Sequence, residues 1–187
     1  SDALLALIHS RISAAGGWIP FSEYMRLALY APGLGYYSGG ATKFGQAGDF
    51  VTAPELCPQF GTCVAATVAG VLAAEELDGR GSVLEIGAGT GRLAVQVLKS
   101  LAERGRLPQQ YLILELSAGL QQRQRALIEQ EIPQLAGRVA WLSALPQHFR
   151  GAIIGNEVLD AMPCALVHLG GSGWQERGVG WQDGLCW

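Results

Sequence analysis

The sequence predicts an α/β fold of the Rossmann-like kind: a mostly parallel sheet with helices on both faces, incomplete at the C-terminus, preceded by a helical and loop extension. Three observations predict it. Between about Gly61 and Met162, short apolar runs alternate with longer helical stretches, the pattern of parallel strands joined by right-handed crossovers. One junction, "VLEIGAGTGRL" (Val83–Leu93), passes from aliphatic residues through three alternating glycines into helix formers, which reads as strand, tight loop and helix. The 187 residues are 49% hydrophobic and only 16% charged, more apolar than an independent soluble domain of this length needs. Further chain is therefore expected to cover part of the surface.

The elements follow in order. "SDALLALIHSRISAAGG" reads as an amphipathic helix with Leu4, Leu5, Ile8, Ile12 and Ala15 on one face, and it lacks the basic n-region of a signal peptide. "SEYMRLALY" is a second helix, with Ser22 as N-cap and Pro32 as its stop. A long glycine-rich loop runs from there to "GDFVTAPE", and loops of that length in compact domains are more often functional than filler. Then come helix Thr62–Glu76, strand Ser82–Ile86, helix Arg92–Arg104, strand Tyr111–Glu115, helix Ala118–Glu131, strand Val139–Leu142 and strand Ala152–Asn156. From Cys164 onward, "CALVHL", "WQERGVGW" and "LCW" are strand-like, and "GGSG" and "QDG" supply the turns of an antiparallel hairpin. The chain divides into a lid segment over 1–60, an α/β core over 61–163 and a β-hairpin insertion over 164–187.

Composition excludes several classes. A net charge of -3 without any block of Lys and Arg argues against nucleic-acid binding. Leu56–Ala74 is uncharged, but Pro58, Gln59, Thr62 and Thr67 interrupt it, so it reads as a buried helix and no membrane span is expected. The four cysteines form no CxxC pair and the three histidines lie far apart, so neither a metal site nor a disulfide framework is expected. Together with the absent signal peptide this points to a reducing compartment, the cytoplasm of a bacterium, or the mitochondrial matrix for a eukaryotic source.

The ligand of the glycine loop is the central question. A dinucleotide fingerprint reads GxGxxG. Gly87 and Gly89 fill its first two places with Ala88 between them, but Arg92 stands at the third and the actual spacing, through Gly91, is GxGxG. Glu85 lies two residues before the first glycine. A pyrophosphate at a helix N-terminus gains roughly 0.3–1 kcal/mol from the dipole, and a carboxylate beside it opposes that gain. The same carboxylate suits a ligand with an ammonium group, such as the methionyl end of S-adenosylmethionine. Glu115, followed by Leu116, ends the next strand where a ribose diol would lie, and a carboxylate accepts both hydroxyl protons. Ligands gather at the carboxyl ends of parallel strands, which adds Ser143 to the candidates. The plainer readings are an ion pair at a strand end for Glu85 and a helix-capping acid for Glu115. Another nucleotide-like ligand also stays open.

After the fourth strand comes "IIGNEVLDAMP", with Asn156, Glu157 and Asp160 facing the predicted cleft. If Val158 begins a helical turn, Glu157 and Asp160 share a face. Methyl transfer from a sulfonium chiefly needs in-line positioning. A guanidinium acceptor arrives protonated, and two carboxylates could bind it bidentately as a proton leaves. The plainer reading is a helix N-terminus bearing acids for dipole reasons.

Four segments carry a family likeness: "FSEYMRLALYAPGLGYY", "FGQAGDFVTAPELCPQFG", "VLEIGAGTGRLA" and "GNEVLDAMPC". With these the chain resembles the MidA-like family of S-adenosylmethionine-dependent methyltransferases, whose mitochondrial members assist assembly of respiratory complex I. The resemblance implies the seven-stranded class I methyltransferase fold and, from the eukaryotic members, arginine methylation of a complex I subunit or related protein. It implies that Gly87, Gly89, Gly91 and Glu115 bind the cofactor. Gly48, Asp49, Thr52, Pro54 and Glu55 match the family's N-terminal signature over the cofactor cleft. Asn156, Glu157 and Asp160 match the motif after the fourth strand. Ala53 stands where a serine is usual and Cys57 where a small polar residue is common. Members are about twice this length, so the chain corresponds to an N-terminal part. Two rival functions remain: an assembly or scaffolding factor that holds cofactor without turnover, and a small-molecule methyltransferase.

Overall fold

The computed structural model describes residues 1–38, 52–74 and 77–187. Two compact units result: Ser1–Ala41 with Leu159–Trp187, and Thr42–Val158.

The second unit holds the parallel sheet. Its strands are β2 (Ser82–Ile86), β3 (Tyr111–Leu114), β4 (Val139–Leu142) and β5 (Gly151–Gly155), in the order β4-β3-β2-β5 with every neighbour parallel. Its helices are α3 (Ala53–Leu56), α4 (Pro58–Leu72), α5 (Arg92–Glu103) and α6 (Ala118–Glu131). Four strands and α6 fall within a residue of the sequence expectation. Helix α4 does not: it starts at Pro58 instead of Thr62, because proline at a first helical position sacrifices no hydrogen bond. Its end also differs: the helix stops at Leu72 with Ala73 as its C-cap, four residues short of the expected Glu76.

Register and alternation divide the sheet's side chains cleanly. Val83 pairs with Tyr111 and Ala152, Glu85 with Ile113 and Ile154, and Ile113 with Trp141, so all of these share one face. Val83, Tyr111, Ile113, Val139 and Ile154 form the core there with Ala65, Val68 and Leu72 of α4, Leu93, Val97, Leu98 and Leu101 of α5, and Ile128 of α6. The steps β2 to β3 and β3 to β4 run in the same direction, and right-handed crossovers then put α5 and α6 on the same side. The connection from β4 to β5 reverses direction and contains no helix. On the opposite face Leu84 is buried, but Ile153 is 61% exposed. The expected helices on that face are not among the described residues. Gly61 brings α4 close to α5, since a Cβ there would overlap the Gln96 side chain.

The other unit is antiparallel. Strand β1 (Trp18–Pro20) pairs with β7 (Gly173–Trp181), which also pairs with β6 (Leu166–Gly170) and β8 (Leu185–Cys186). The predicted hairpin and its turns are present. Strand β1 was not foreseen: three residues after a glycine pair are too few to show a period, and the pairing joins segments that the sequence kept apart as first and last. Helices α1 (Asp2–Ala14) and α2 (Phe21–Tyr30) pack Ile8, Ile12 and Leu27 against Ile19 and Val179. Two expectations need correction. Leu5 and Ala15 are exposed, and the packed stripe of α1 is Leu4, Leu7, Ile8 and Ile12. Ser22 is not the cap of α2, which starts at Phe21 behind Pro20 without any side-chain cap.

Candidate functional site

The glycine loop joins β2 to α5. Gly87, Gly89 and Gly91 have φ of 64°, 55° and 88°, a region L-residues enter at a cost of roughly 1–2 kcal/mol. Gly91 is the N-cap residue of α5, and a Cβ there would lie 3.2 Å from Cγ of Gln124. A Cβ on Gly87 would lie 3.2 Å from Cγ2 of Val158. Gly91→Ala is therefore expected to destabilise the fold by about 1–2 kcal/mol, read as a lower midpoint in thermal unfolding without ligand. An unchanged midpoint would show that the loop tolerates a side chain.

Register brings the candidates to one level. Ile86 pairs with Leu114 and with Gly155, and Leu114 with Leu142, so Gly87, Glu115, Ser143 and Asn156 are each the first residue past a strand's carboxyl end. Among these, Glu115 is 8% exposed. Its Oε1 accepts the Ser117 amide at 2.9 Å and its Oε2 accepts Nε2 of Gln124 at 3.2 Å. Ser117 in turn caps α6. The capping reading of Glu115 is thus partly realised, yet a carboxylate offers about four acceptor positions and these two bonds use one on each oxygen. Ala88 is buried, while Leu116 is 81% exposed and Ser143 is exposed.

Glu85 lies on the helix-covered face and is 2% exposed. Its Oε2 accepts the Tyr111 hydroxyl at 2.7 Å. Tyr111 pairs with Val83, so the contact is a diagonal one on the same face. Burial raises the Glu85 carboxyl to about 7, against a smaller lowering by the tyrosine hydroxyl, and burial likewise pushes the Tyr111 hydroxyl up.

The N-terminal signature meets the loop through α3. Thr52 precedes this short helix as its N-cap residue, and Pro54 is buried. The carboxylate of Glu55 accepts the Thr90 hydroxyl, and the Pro54 carbonyl accepts Nε2 of Gln96 at 2.8 Å. Gly48 and Asp49 lie outside the described residues. Arg92, at the position of a third fingerprint glycine, pairs with Glu131 at 3.2 Å and so joins α5 to α6.

Beyond β5, Asn156 is half-buried, and Glu157 and Asp160 are exposed. The helical turn is a single 3-10 turn over Leu159–Ala161. Glu157 precedes it with φ 51°, so the expected helical face shared by Glu157 and Asp160 does not form. The chain bends before Val158 can begin a helix. Among the described residues, no group of three or more His, Cys, Asp or Glu could hold a metal ion.

A family model of S-adenosyl-L-methionine-dependent methyltransferases (Methyltransf_28) matches residues 63–185. The chain belongs to that family. The family's methyl donor is S-adenosylmethionine. A methyltransferase-like protein of the COG1565 superfamily from Burkholderia thailandensis, crystallised with S-adenosylhomocysteine, is 51% identical at a TM-score of 0.84, over 97% of this chain and 47% of that one. Mitochondrial proteins named as arginine methyltransferase NDUFAF7 homologues are 30% identical in Caenorhabditis elegans and 32% in Drosophila melanogaster. Each comparison covers 86% of this chain, which spans 42% and 41% of those relatives. The fold is accordingly the Rossmann-like methyltransferase fold.

One residue at this site escaped sequence reasoning. Gln124 on α6 is fully buried, with Nε2 donating to the Gly89 carbonyl at 2.9 Å and to Glu115, and Oε1 accepting Nε1 of Trp141 at 2.8 Å. A signal was present. In "AGLQQRQRALIEQE" the inward stripe Leu120, Gln124, Ile128 has helical spacing, and a polar residue in such a stripe needs buried partners.

Proposed function

We propose that this chain is the cofactor-binding part of an S-adenosylmethionine-dependent methyltransferase that modifies arginine in a protein. The observation that carries the cofactor half is the common level of the glycine loop and Glu115 at neighbouring strand ends, tied together through Gln124. The residues fit that cofactor. The loop offers backbone without side chains, and Glu115 keeps acceptor positions for a ribose diol. Gly87, Ala88, Gly89 and Gly91 would line the methionyl and ribose side, Glu115 and Leu116 the ribose and base. Ser143 would border the base. Glu85 would place negative charge near the loop, and Thr52, Pro54 and Glu55 would border it through the hydrogen bond from Thr90 to Glu55. Bound S-adenosylmethionine supplies a methyl group on a positively charged sulfur.

The acceptor half rests on chemistry and on relatives. Glu157 and Asp160 are carboxylates suited to a guanidinium, and the positive φ of Glu157 is a strained conformation of the sort that clusters at functional sites. Asn156 would help orient the acceptor. The worm and fly relatives are named as arginine methyltransferases, and the family resemblance points to a respiratory complex I subunit or a related partner. The higher identity to the Burkholderia protein favours a bacterial cytoplasm, and the names of the worm and fly relatives favour mitochondria for a eukaryotic source. Among the described residues no helix is long and apolar enough to cross a membrane.

Calorimetry of the complete protein should show binding of S-adenosylmethionine and none of NAD; the reverse sinks the cofactor assignment. Mass spectrometry of cells lacking the protein should reveal a lost methylarginine. Glu157→Gln and Asp160→Asn should each lower kcat roughly tenfold, the loss of one guanidinium bond of about 1.4 kcal/mol. Unchanged turnover in both variants would remove these acids from the mechanism.

A further inference from the structure

We infer that Gln124 is a positioning residue for ribose recognition: its buried carboxamide aims Glu115 and fixes the glycine loop relative to it. The inference deepens the cofactor reading above and rests on it. Three directional bonds determine the orientation of the amide. The indole N–H of Trp141 can only donate, so the atom it meets at 2.8 Å is the amide oxygen. The two amide hydrogens then face the Gly89 carbonyl at 2.9 Å and Oε2 of Glu115 at 3.2 Å, both acceptors. Reversing the amide would set its oxygen against both acceptors and its nitrogen against the indole donor. Trp141 is itself held from the other side, where the Arg125 guanidinium stacks 3.8 Å above its ring.

The consequence for Glu115 is specific. The Ser117 amide holds Oε1 and Gln124 holds Oε2, so the carboxylate plane is set by two donors from different places in the chain. A diol read by two oxygens needs that plane, because each hydroxyl must find its own acceptor at hydrogen-bond distance. The same Gln124 side chain fills the space beside Gly91 that a Cβ would enter. Loop and acid therefore share one buried support.

The test compares S-adenosylhomocysteine with its 2′,3′-dideoxy analogue, by calorimetry on the complete protein. The wild type should prefer the diol by tenfold or more. Gln124→Met, which keeps length and volume but removes all three bonds, should lose most of that preference while binding the analogue nearly as the wild type does. Trp141→Phe removes the donor that orients the amide while keeping an aromatic ring for Arg125 to stack on, and should lose part of the preference; it carries the test alone if the methionine variant does not fold. Equal weakening of both ligands, or an unchanged preference, shows that Gln124 is a packing residue and overturns the inference. A wild type that binds neither nucleoside sinks the cofactor assignment itself and the inference with it.

Discussion

Glu115→Gln is expected to weaken S-adenosylmethionine binding about 100-fold, roughly 2.7 kcal/mol, in calorimetry at neutral pH. Hydrogen bonds to a charged acceptor are worth about 1.5–3 kcal/mol each, and the proposed diol makes two. The substitution leaves volume unchanged but converts one oxygen into a donor. That donor has no good place. One oxygen position faces the Ser117 amide at 2.9 Å and the other faces Nε2 of Gln124 at 3.2 Å, so an NH2 group at either meets another N–H. The variant should therefore also unfold at a lower temperature without ligand, because a buried donor is left unmatched. A variant that melts earlier yet keeps its affinity would make Glu115 a helix-capping acid and nothing more. Unchanged affinity and unchanged melting would remove it from both roles.

Much of this arrangement was legible in the chain because local rules and tertiary structure agree there. The apolar run "SVLEI" became β2, and the expected helix Ala118–Glu131 formed over those same residues. The alternating glycines indicated a tight loop between strand and helix, and the rule that ligands gather at strand ends brought Gly87, Glu115, Ser143 and Asn156 together before any pairing was known. What was not legible depends on contacts distant in sequence. Strand β1 exists only because β7 accepts it. Leu5 looks like a core residue by period, yet it is 42% exposed while Leu4, Leu7, Ile8 and Ile12 carry the packing of α1. Glu157 and Asp160 are spaced for a helical face, but Glu157 adopts φ 51° and the helix starts late. Gln124 stands out in its helix only by its place in the stripe Leu120, Gln124, Ile128, and what it bonds there, Gly89 and Trp141, comes from other elements. For strand β1 and Gln124 the deciding partner is supplied by another element.

Glu85 should make stability fall as pH rises through neutrality. Its carboxyl is raised from 4.5 to about 7 by burial, with the Tyr111 hydroxyl opposing only in part. The folded state therefore holds a proton that the unfolded chain has released. A group raised in this way contributes its full stabilisation below the unfolded value near 4.5, and that contribution disappears as pH climbs through the folded value. The difference of about two and a half pH units corresponds to roughly 3 kcal/mol. The half-buried acids Glu23 and Glu131, lowered by Arg26 and by Lys99 with Arg92, act in the opposite sense at lower pH, so the wild-type curve alone is a sum. Glu85→Gln isolates the term. It keeps an oxygen for the Tyr111 hydroxyl at the observed 2.7 Å and removes the titration, so its excess stability over the wild type should grow between pH 5 and pH 8 by roughly 3 kcal/mol. Urea unfolding of both proteins across that range measures it directly. A difference that stays constant with pH would mean that Glu85 titrates as an ordinary carboxylate and is charged at every physiological pH. A growing difference means that a charge on Glu85 must be created at a cost near neutrality. With Glu85 facing the bound cofactor as proposed, an ammonium-bearing ligand would offset that cost where a pyrophosphate would add to it.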